Sequence, residues 1–345
     1  MKRIFFLIID QLNGHWEESV KIEGTNYPPV NIAGYHKLGL ISNFSYLINN
    51  GIWIKKPWNK GNCNTIAGMK YISTGYYLEK KYFESQNIRP CYYYDKKEKY
   101  TSFPVAIQQH YKKYNKILIG GIFGYFPWTD DFLFDDCYSV CCPWNLNPNL
   151  NHRDDAMIKN YVFPWLKNNC DWSLTIAYLQ GLDEIGDKGC PSYKKSNNFK
   201  ASKHSYIKYI DRIIGEIIAF LKRKNFWEET YFIIASDHGA HLGCSVLAQS
   251  GIRTNNWFYN HQKPWDCEVW DFKNNKSTKI YSGGPRRITF IISGGSLEKK
   301  YKGKYIEEAQ IIDIAPTIAH LANVPFKCEG KDIFNNYEIK SYKKE

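Results

Sequence analysis

Two apolar strings at opposite ends of the chain stop in the same way. Ile4–Ile9 runs into Asp10, and Tyr231–Ser236 runs into Asp237, His238 and Gly239. Short, nearly unbroken apolar runs rich in β-branched and aromatic residues are the pattern of strands covered on both faces, as in parallel sheets flanked by helices. Open sheets of that kind collect their ligands beyond the carboxyl ends of the strands. Each string therefore delivers a carboxylate to the ligand edge. A single strand-end aspartate is often only a helix cap. Two from distant strands, one followed by His238, point to a divalent-metal site.

The segments between these strings alternate between strand and helix. A helical pattern lies between Gly39 and Gly51, a short strand at Gly51–Ile54, and a helix over Ile66–Tyr77. Ser102-Phe103-Pro104 reads as an N-cap with an early proline, opening a helix towards Tyr114 that feeds the strand Ile117–Ile119. A helix over Asp154–Lys167 and a strand over Trp172–Leu179 come next. Tyr206, Ile210, Ile213, Ile214, Ile217, Ile218 and Leu221 then recur at helical spacing. A strand at Ile288–Ile292 and a helix over Asp313–Ala322 close the series, with His320 expected to pack into the core from that last helix. The pattern predicts a doubly wound α/β fold: a mostly parallel sheet, helices on both faces, and loop insertions over the carboxyl edge. One domain over 1–335 is expected, with insertions near 78–100, 121–150 and 243–284 and a basic tail at 336–345.

At 345 residues, 43% hydrophobic and 17% aromatic, the chain can bury a sizeable core. Its net charge of +12 favours anionic partners such as phosphate esters, nucleotides or nucleic acid; a solubilising lysine-rich surface accounts for it equally well. No apolar run approaches the ~20 residues that span a bilayer. The first apolar run is only six residues long, too short for a secretory segment. The ten cysteines, with Cys141 and Cys142 adjacent, match no zinc-ribbon spacing and read as free thiols in a reducing compartment. A cytoplasmic location is expected. The oligomeric state is left open.

Two further elements carry chemistry. Gly181-Leu182-Asp183-Glu184-Ile185-Gly186-Asp187 follows a strand and offers Asp183 and Asp187 to one cavity, with Glu184 as a substitute for either. Asn64 and Thr65 open a helix that ends near Thr74-Gly75. A hydroxyl there has the positive end of the helix dipole and free backbone N–H groups beside it, an environment that binds phosphate. A metal ion at the same place turns the hydroxyl into a nucleophile. An ordinary threonine N-cap is the alternative reading of Thr65 alone.

The set resembles the alkaline phosphatase superfamily. The resemblance rests on the strand-end Asp10, Thr65 ten residues before Gly75, Gly181-Leu182-Asp183 with Gly186-Asp187, Ser236-Asp237-His238-Gly239, and Asp313-Ile314-Ala315-Pro316-Thr317-Ile318. It covers about residues 4–330 and is nearest in character to type I phosphodiesterases/nucleotide pyrophosphatases and to the ethanolamine-phosphate transferases of the GPI pathway. It implies a metal-dependent phosphodiesterase or phosphohydrolase working through a covalent phospho-Thr65 intermediate. Two divalent ions are implied, zinc or manganese with magnesium as a further option. One would take Asp10, Thr65, Asp237 and His238; the other would take Asp183, Asp187 and a downstream histidine. Asn64 and Lys70 would meet substrate, Lys70 resembling the lysine of the transferase group. A phosphotransferase sharing the intermediate is the nearest rival, and an inactive binding protein of the same fold is another.

The chain departs from the superfamily pattern at two places. Position 187 is usually histidine and is Asp here, which adds a hard oxygen donor. His261 stands where the last histidine belongs but lacks its usual neighbouring glycine, so His241 competes with it. Sulfatase chemistry is disfavoured, because it needs Cys or Ser at the nucleophile, with Pro and Arg soon after. This chain has Thr65-Ile66-Ala67-Gly68-Met69. Tyr92–Tyr94, Trp128, Trp144, Trp257, Trp265 and Trp270 in the insertions lean towards a nucleotide-like substrate. Arg253, Lys263, Arg286 and Arg287 are candidates for further phosphates.

Overall fold

The computed structural model describes residues 2–16, 28–61, 63, 65–77, 100–111, 117–121, 138–141, 150–183, 203–240, 268–271, 276–281 and 284–342. Its strands in chain order are β1 (Arg3–Ile9), β2 (Ile52–Trp58), β3 (Ile117–Gly121), β4 (Tyr138–Cys141), β5 (Leu174–Leu179), β6 (Thr230–Ala235), β7 (Glu268–Asp271), β8 (Lys276–Tyr281), β9 (Phe290–Ser293), β10 (Lys304–Gln310) and β11 (Lys340–Ser341). All but β7 and β8 join one sheet in the order β11-β10-β2-β9-β6-β1-β5-β3-β4, and β7 and β8 form a separate antiparallel pair. The central strands β6, β1, β5, β3 and β4 run parallel, as do β2 and β10. The sheet is mostly parallel, the α/β fold expected, with β9 antiparallel between β2 and β6 and β11 antiparallel at the edge.

The helices are α1 (Ile32–Lys37), α2 (Ser42–Asn49), α3 (Thr65–Thr74), α4 (Phe103–His110), α5 (Leu150–Met157), α6 (Phe163–Asn168), α7 (Lys203–Arg223), α8 (Ile314–Leu321) and α9 (Ile333–Asn336). A π-helical turn at Ile158–Val162 joins α5 to α6 just ahead of Pro164, whose missing N–H breaks the regular ladder. Ser102 caps α4 through Val105 N, with proline in the first turn, as its sequence signature predicts.

Strand β1 shows why both faces had to be apolar. Phe5, Leu7 and Ile9 pack with α2 and α7, whereas Ile4, Phe6 and Ile8 pack with α3, α4 and α8. Alternate side chains leave a strand on opposite faces, so a strand between two helical layers has no solvent side. Helix α7 is the largest contributor to the first layer, and its buried Tyr206, Ile207, Ile210, Ile213, Ile214, Ile217 and Leu221 follow helical spacing.

Several expectations need correction. Strand β4 lies inside the stretch 121–150, read as an insertion, and belongs to the main sheet. The stretch 243–284 holds the β7–β8 pair. Strand β10 reads as no apolar run, because as the next-to-last strand it alternates half-buried and buried residues. The basic tail is partly built in: Lys340–Ser341 pair with β10, and Tyr342 meets Tyr305 with ring centres 4.9 Å apart. His320 is not a core residue. It is exposed, 3.1 Å from Asp332, and stacked on Phe334, because the apolar face of α8 is supplied by Ile314, Ala315, Ile318 and Ala319. Among the described residues no helix is long and apolar enough to cross a membrane.

Candidate active site

Strands β1 and β6 are hydrogen-bonded neighbours in parallel register, Ile8 opposite Ala235, so the residues that follow them leave the sheet side by side. Asp10 and Asp237 are both fully buried there. Asp10 Oδ2 accepts a hydrogen bond from the Tyr178 hydroxyl. Asp237 Oδ1 accepts from its neighbour's backbone, His238 N at 2.9 Å, and from Gln11 N at 3.3 Å. The other two oxygens, Asp10 Oδ1 and Asp237 Oδ2, have no donor other than His238 among the described residues. They stand 3.2 Å and 3.8 Å from His238 Nε2. His238 Nδ1 lies 3.0 Å from the Gly239 carbonyl, which can only accept; Nδ1 therefore carries the proton and Nε2 is the atom turned to the carboxylates.

The ionisation of this cluster is strained. Burial, followed by the charges of Asp237 and Asp183, pushes the Asp10 carboxyl well above the usual carboxylate range. Burial likewise raises Asp237. For His238, burial works against the charged ring, yet Asp237, Asp10 and Asp183 outweigh it and raise the imidazole to about 10. Buried anions that repel each other are a cation-seeking arrangement. One ligand atom each from Asp10, Asp237 and His238 lies within 4.8 Å of the others, so the two orphaned oxygens and Nε2 fit a divalent ion.

Thr65 reaches this cluster from the opposite layer. It is the first residue of α3, and its Oγ1 lies 3.2 Å from His238 Nε2. Gly68 makes the approach possible, since a Cβ there would overlap the backbone of Asp237. Glycine inside a helix costs about 1 kcal/mol relative to alanine, so Gly68 in the run after Thr65 was a sequence signal of close contact that periodicity alone passes over. The approach to α3 is anchored by Arg286. Its Nη1 donates to the carbonyls of Asn59 (3.2 Å), Lys60 (2.7 Å) and Gly61 (3.0 Å). Arg286, expected as a phosphate contact, thus holds the segment leading to Thr65. Lys70 is 1% exposed within α3. Asn64 lies outside the described residues.

Asp183 enters from the end of β5. Asp154 Oδ1 and Oδ2 accept from Gln180 N and Gly181 N at 3.2 and 3.3 Å, and Oδ2 also accepts from the Tyr206 hydroxyl at 2.7 Å. This fully buried carboxylate fixes the turn that carries Asp183. Asp183 Oδ1 accepts from the Gln11 side-chain amide, so Gln11 ties Asp183 to the Asp10–Asp237 pair. Asp187, His241, His261 and Glu184 lie outside the described residues. Asp154, Tyr178, Gln11 and Gly68 escaped the sequence reading; their roles depend on which elements meet, which only the fold decides.

The model of the family described as type I phosphodiesterase / nucleotide pyrophosphatase matches residues 33–320. The chain belongs to that family. Solved structures share the fold of this chain. Murine ectonucleotide pyrophosphatase / phosphodiesterase 5, in an inactive form in complex with AMP, is 15% identical with a TM-score of 0.59, covering 97% of this chain and 98% of that one. The lipoteichoic acid synthase LtaP from Listeria monocytogenes is 16% identical with a TM-score of 0.57, covering 97% of this chain and 76% of that one. An arylsulfatase of Clostridium perfringens is 28% identical over 154 residues, 44% of this chain and 26% of its own length. A GPI ethanolamine phosphate transferase 2 of Candida glabrata is 25% identical over 171 residues, 49% of this chain and 18% of its own length. The matched stretches thus span about a quarter or less of those two relatives.

Proposed function

We propose that the protein is a metal-dependent phosphodiesterase that forms a covalent intermediate on Thr65. The observation that carries the reading is the pair of buried carboxylate oxygens that face His238 Nε2, the same atom that lies 3.2 Å from Thr65 Oγ1. Asp10, Asp237, His238 and Thr65 would hold one divalent ion, and Asp183 with Asp187 and His261 or His241 a second. Zinc or manganese suits the mixed nitrogen and oxygen set, with magnesium a further option. When bound, ions at such a centre favour the ionised form of the hydroxyl and offset charge on the phosphate oxygens.

The chain's own residues then have defined tasks. Thr65 Oγ1 gives up its proton to solvent and bonds to phosphorus while the ester bond opposite it breaks, and the leaving oxygen departs with the electron pair and gains a proton from solvent. Water next displaces Thr65 from phosphorus and returns a proton to Oγ1. Because α3 begins at Thr65, its free N–H groups and dipole favour the transferred phosphate. Gly68 and Arg286 keep that helix end against Asp237 and His238. A nucleotide-like diester is the proposed substrate, supported by the net charge of +12 and by the family's description.

The test is hydrolysis of bis(p-nitrophenyl) phosphate, the corresponding monoester and the sulfate ester after metal stripping and re-addition of Zn²⁺, Mn²⁺ or Mg²⁺. Metal-restored diester cleavage above the other two supports the reading. Dominant cleavage of the monoester or of the sulfate ester would replace it with a phosphatase or a sulfatase. The match to a GPI ethanolamine phosphate transferase favours one second reading, transfer to an acceptor alcohol. That reading would show as a new phosphate ester when glycerol is added.

A further inference from the structure

The peptide that accepts a hydrogen bond from His238 is itself held from its other side. The His238 Nδ1–H meets the Gly239 carbonyl at 3.0 Å. That carbonyl and the N–H of Ala240 belong to one planar peptide group. Ala240 N donates to Asn13 Oδ1 at 2.6 Å, across 227 positions of the chain. Asn13 Nδ2 in turn donates to the Gly284 carbonyl at 2.6 Å. A backbone N–H can only donate and a carbonyl can only accept, so these two partners fix which way the amide faces. Asn13 is fully buried, and its own backbone carbonyl accepts from Ile32 N at 2.9 Å. One side chain therefore ties the turn after β1 to the turn after β6 and to Gly284. Gly239 is crowded between them: a Cβ there would lie 2.3 Å from the Gly284 carbonyl oxygen and 2.8 Å from Asn13 Nδ2. The Gly239 N–H donates to the Pro285 carbonyl at 2.8 Å.

We propose that Asn13 is a positioning residue of the metal centre: it orients the Gly239–Ala240 peptide, and through that peptide the His238 ring. The inference rests on the metal-centre reading and deepens it. His238 has to present Nε2 to Asp10 Oδ1, Asp237 Oδ2 and Thr65 Oγ1, at 3.2, 3.8 and 3.2 Å. An imidazole held only through its Cβ can turn about its side-chain torsions, and a second fixed point at Nδ1 stops that rotation. The Gly239 carbonyl is that point, and it is only as steady as the peptide that carries it. Asn13 supplies the steadiness, because swinging the carbonyl away would strip Ala240 N of its acceptor. Hydrogen bonds in series also polarise one another, so the bond at Ala240 N strengthens the carbonyl as an acceptor for Nδ1–H. Asn13 stands three residues after Asp10. The same contact therefore sets the carboxylate at one strand end in register with the imidazole at the other.

The experiment is calorimetric titration of the metal-stripped full chain with Zn²⁺, beside thermal unfolding without metal. It compares wild type with Asn13→Leu, which removes both side-chain hydrogen bonds at similar size. A conservative variant, Asn13→Asp, keeps the acceptor for Ala240 N and loses the donor to Gly284. Asp211→Ala, outside the cluster, controls for lost stability alone. Asn13→Leu is expected to lose about 10- to 100-fold in Zn²⁺ affinity. Asn13→Asp is expected to recover most of that affinity, and Asp211→Ala to bind as wild type does. Wild-type affinity in a folded Asn13→Leu protein would overturn the inference and leave the metal centre standing. Equal losses in the two Asn13 variants would reduce the residue to a clamp on Gly284 and overturn it too, as would a matching loss in Asp211→Ala. If Asn13→Leu does not unfold cooperatively, Asn13→Ser, which shortens the reach without adding bulk, is judged by the same results. A wild-type protein that binds no Zn²⁺ would overturn the metal centre together with this inference.

Discussion

Two buried acids show what burial alone does and does not mean. Asp211, on α7, is buried, and burial raises its carboxyl pKa, as it does for Asp10 and Asp237 at the sheet edge. Their partners differ. Asp211 accepts from Asn43 N (3.0 Å), Phe44 N (2.9 Å), Asn43 Nδ2 (3.1 Å) and Ser42 Oγ (3.4 Å). It thereby caps α2, whose own N-cap, Ile41, has no side-chain hydrogen bond to offer. Asp10 and Asp237 each keep one oxygen that meets no donor but His238 among the described residues. A carboxylate whose oxygens are all met is holding the fold. One buried with an unmet oxygen beside another like it is held by the fold for something else.

The sharpest way to break that contrast is Thr65→Ala. If the unmet oxygens serve chemistry at Thr65, kcat on a diester falls by about 10⁴-fold or more while the melting temperature stays put. Retained turnover in a folded Thr65→Ala protein would remove the nucleophile from the argument. Gly68→Ala comes next, since its methyl group would push α3 away from Asp237. A displacement of that kind is expected to lower kcat by about 100-fold and to cost about 1–3 kcal/mol in overpacking. Steady-state kinetics beside thermal unfolding measures both, and unchanged kcat would show that the helix end need not sit so close.

The acids themselves should respond in opposite directions. Asp211→Ala strands the N–H groups of Asn43 and Phe44 and is expected to lower stability by about 2–3 kcal/mol, with activity per folded molecule unchanged. Asp10→Asn removes the cost of burying that carboxylate and its repulsion from Asp237 and Asp183, and is expected to stabilise the metal-free protein by about 1 kcal/mol while abolishing metal binding. Denaturant unfolding decides between them, and the comparison fails if both variants are destabilised alike.

The last expected effect is a pH dependence. With His238 raised to about 10, the metal-free fold holds that proton throughout the neutral range. An ion must displace it, so binding releases a proton and apparent affinity climbs as pH rises, by about tenfold per unit between pH 6 and 8. Calorimetry in buffers of different ionisation enthalpy counts the protons released. A flat profile would mean that His238 gives up no proton when the ion binds.

Much of this was legible in the sequence, and the reasons are local. A strand covered on both faces must be apolar along its length, so Ile4–Ile9 and Tyr231–Ala235 announced themselves, and the residues after them had to emerge at the ligand edge. Helix α7 was visible through its spacing, and α4 through Ser102 and Pro104. Strand β10 was not, since a strand near the edge mixes half-buried and polar residues and has no pattern of its own. The His320 error has the same root: helical spacing shows that a face exists, whereas exposure depends on what packs against it.

By itself, then, the sequence determined the residue types at the strand ends and the helix start, because short-range patterning dictates which segments become strands and helices. Tertiary structure decided which of those ends meet. Only parallel pairing of β1 with β6 sets Asp10 beside Asp237, and only the missing side chain at Gly68 lets Thr65 approach His238. The turn at Gln11 and the cap from Asp211 belong to the same class. Each joins residues far apart in the chain, and such contacts are fixed by packing and hydrogen-bond satisfaction across elements, which no local pattern encodes.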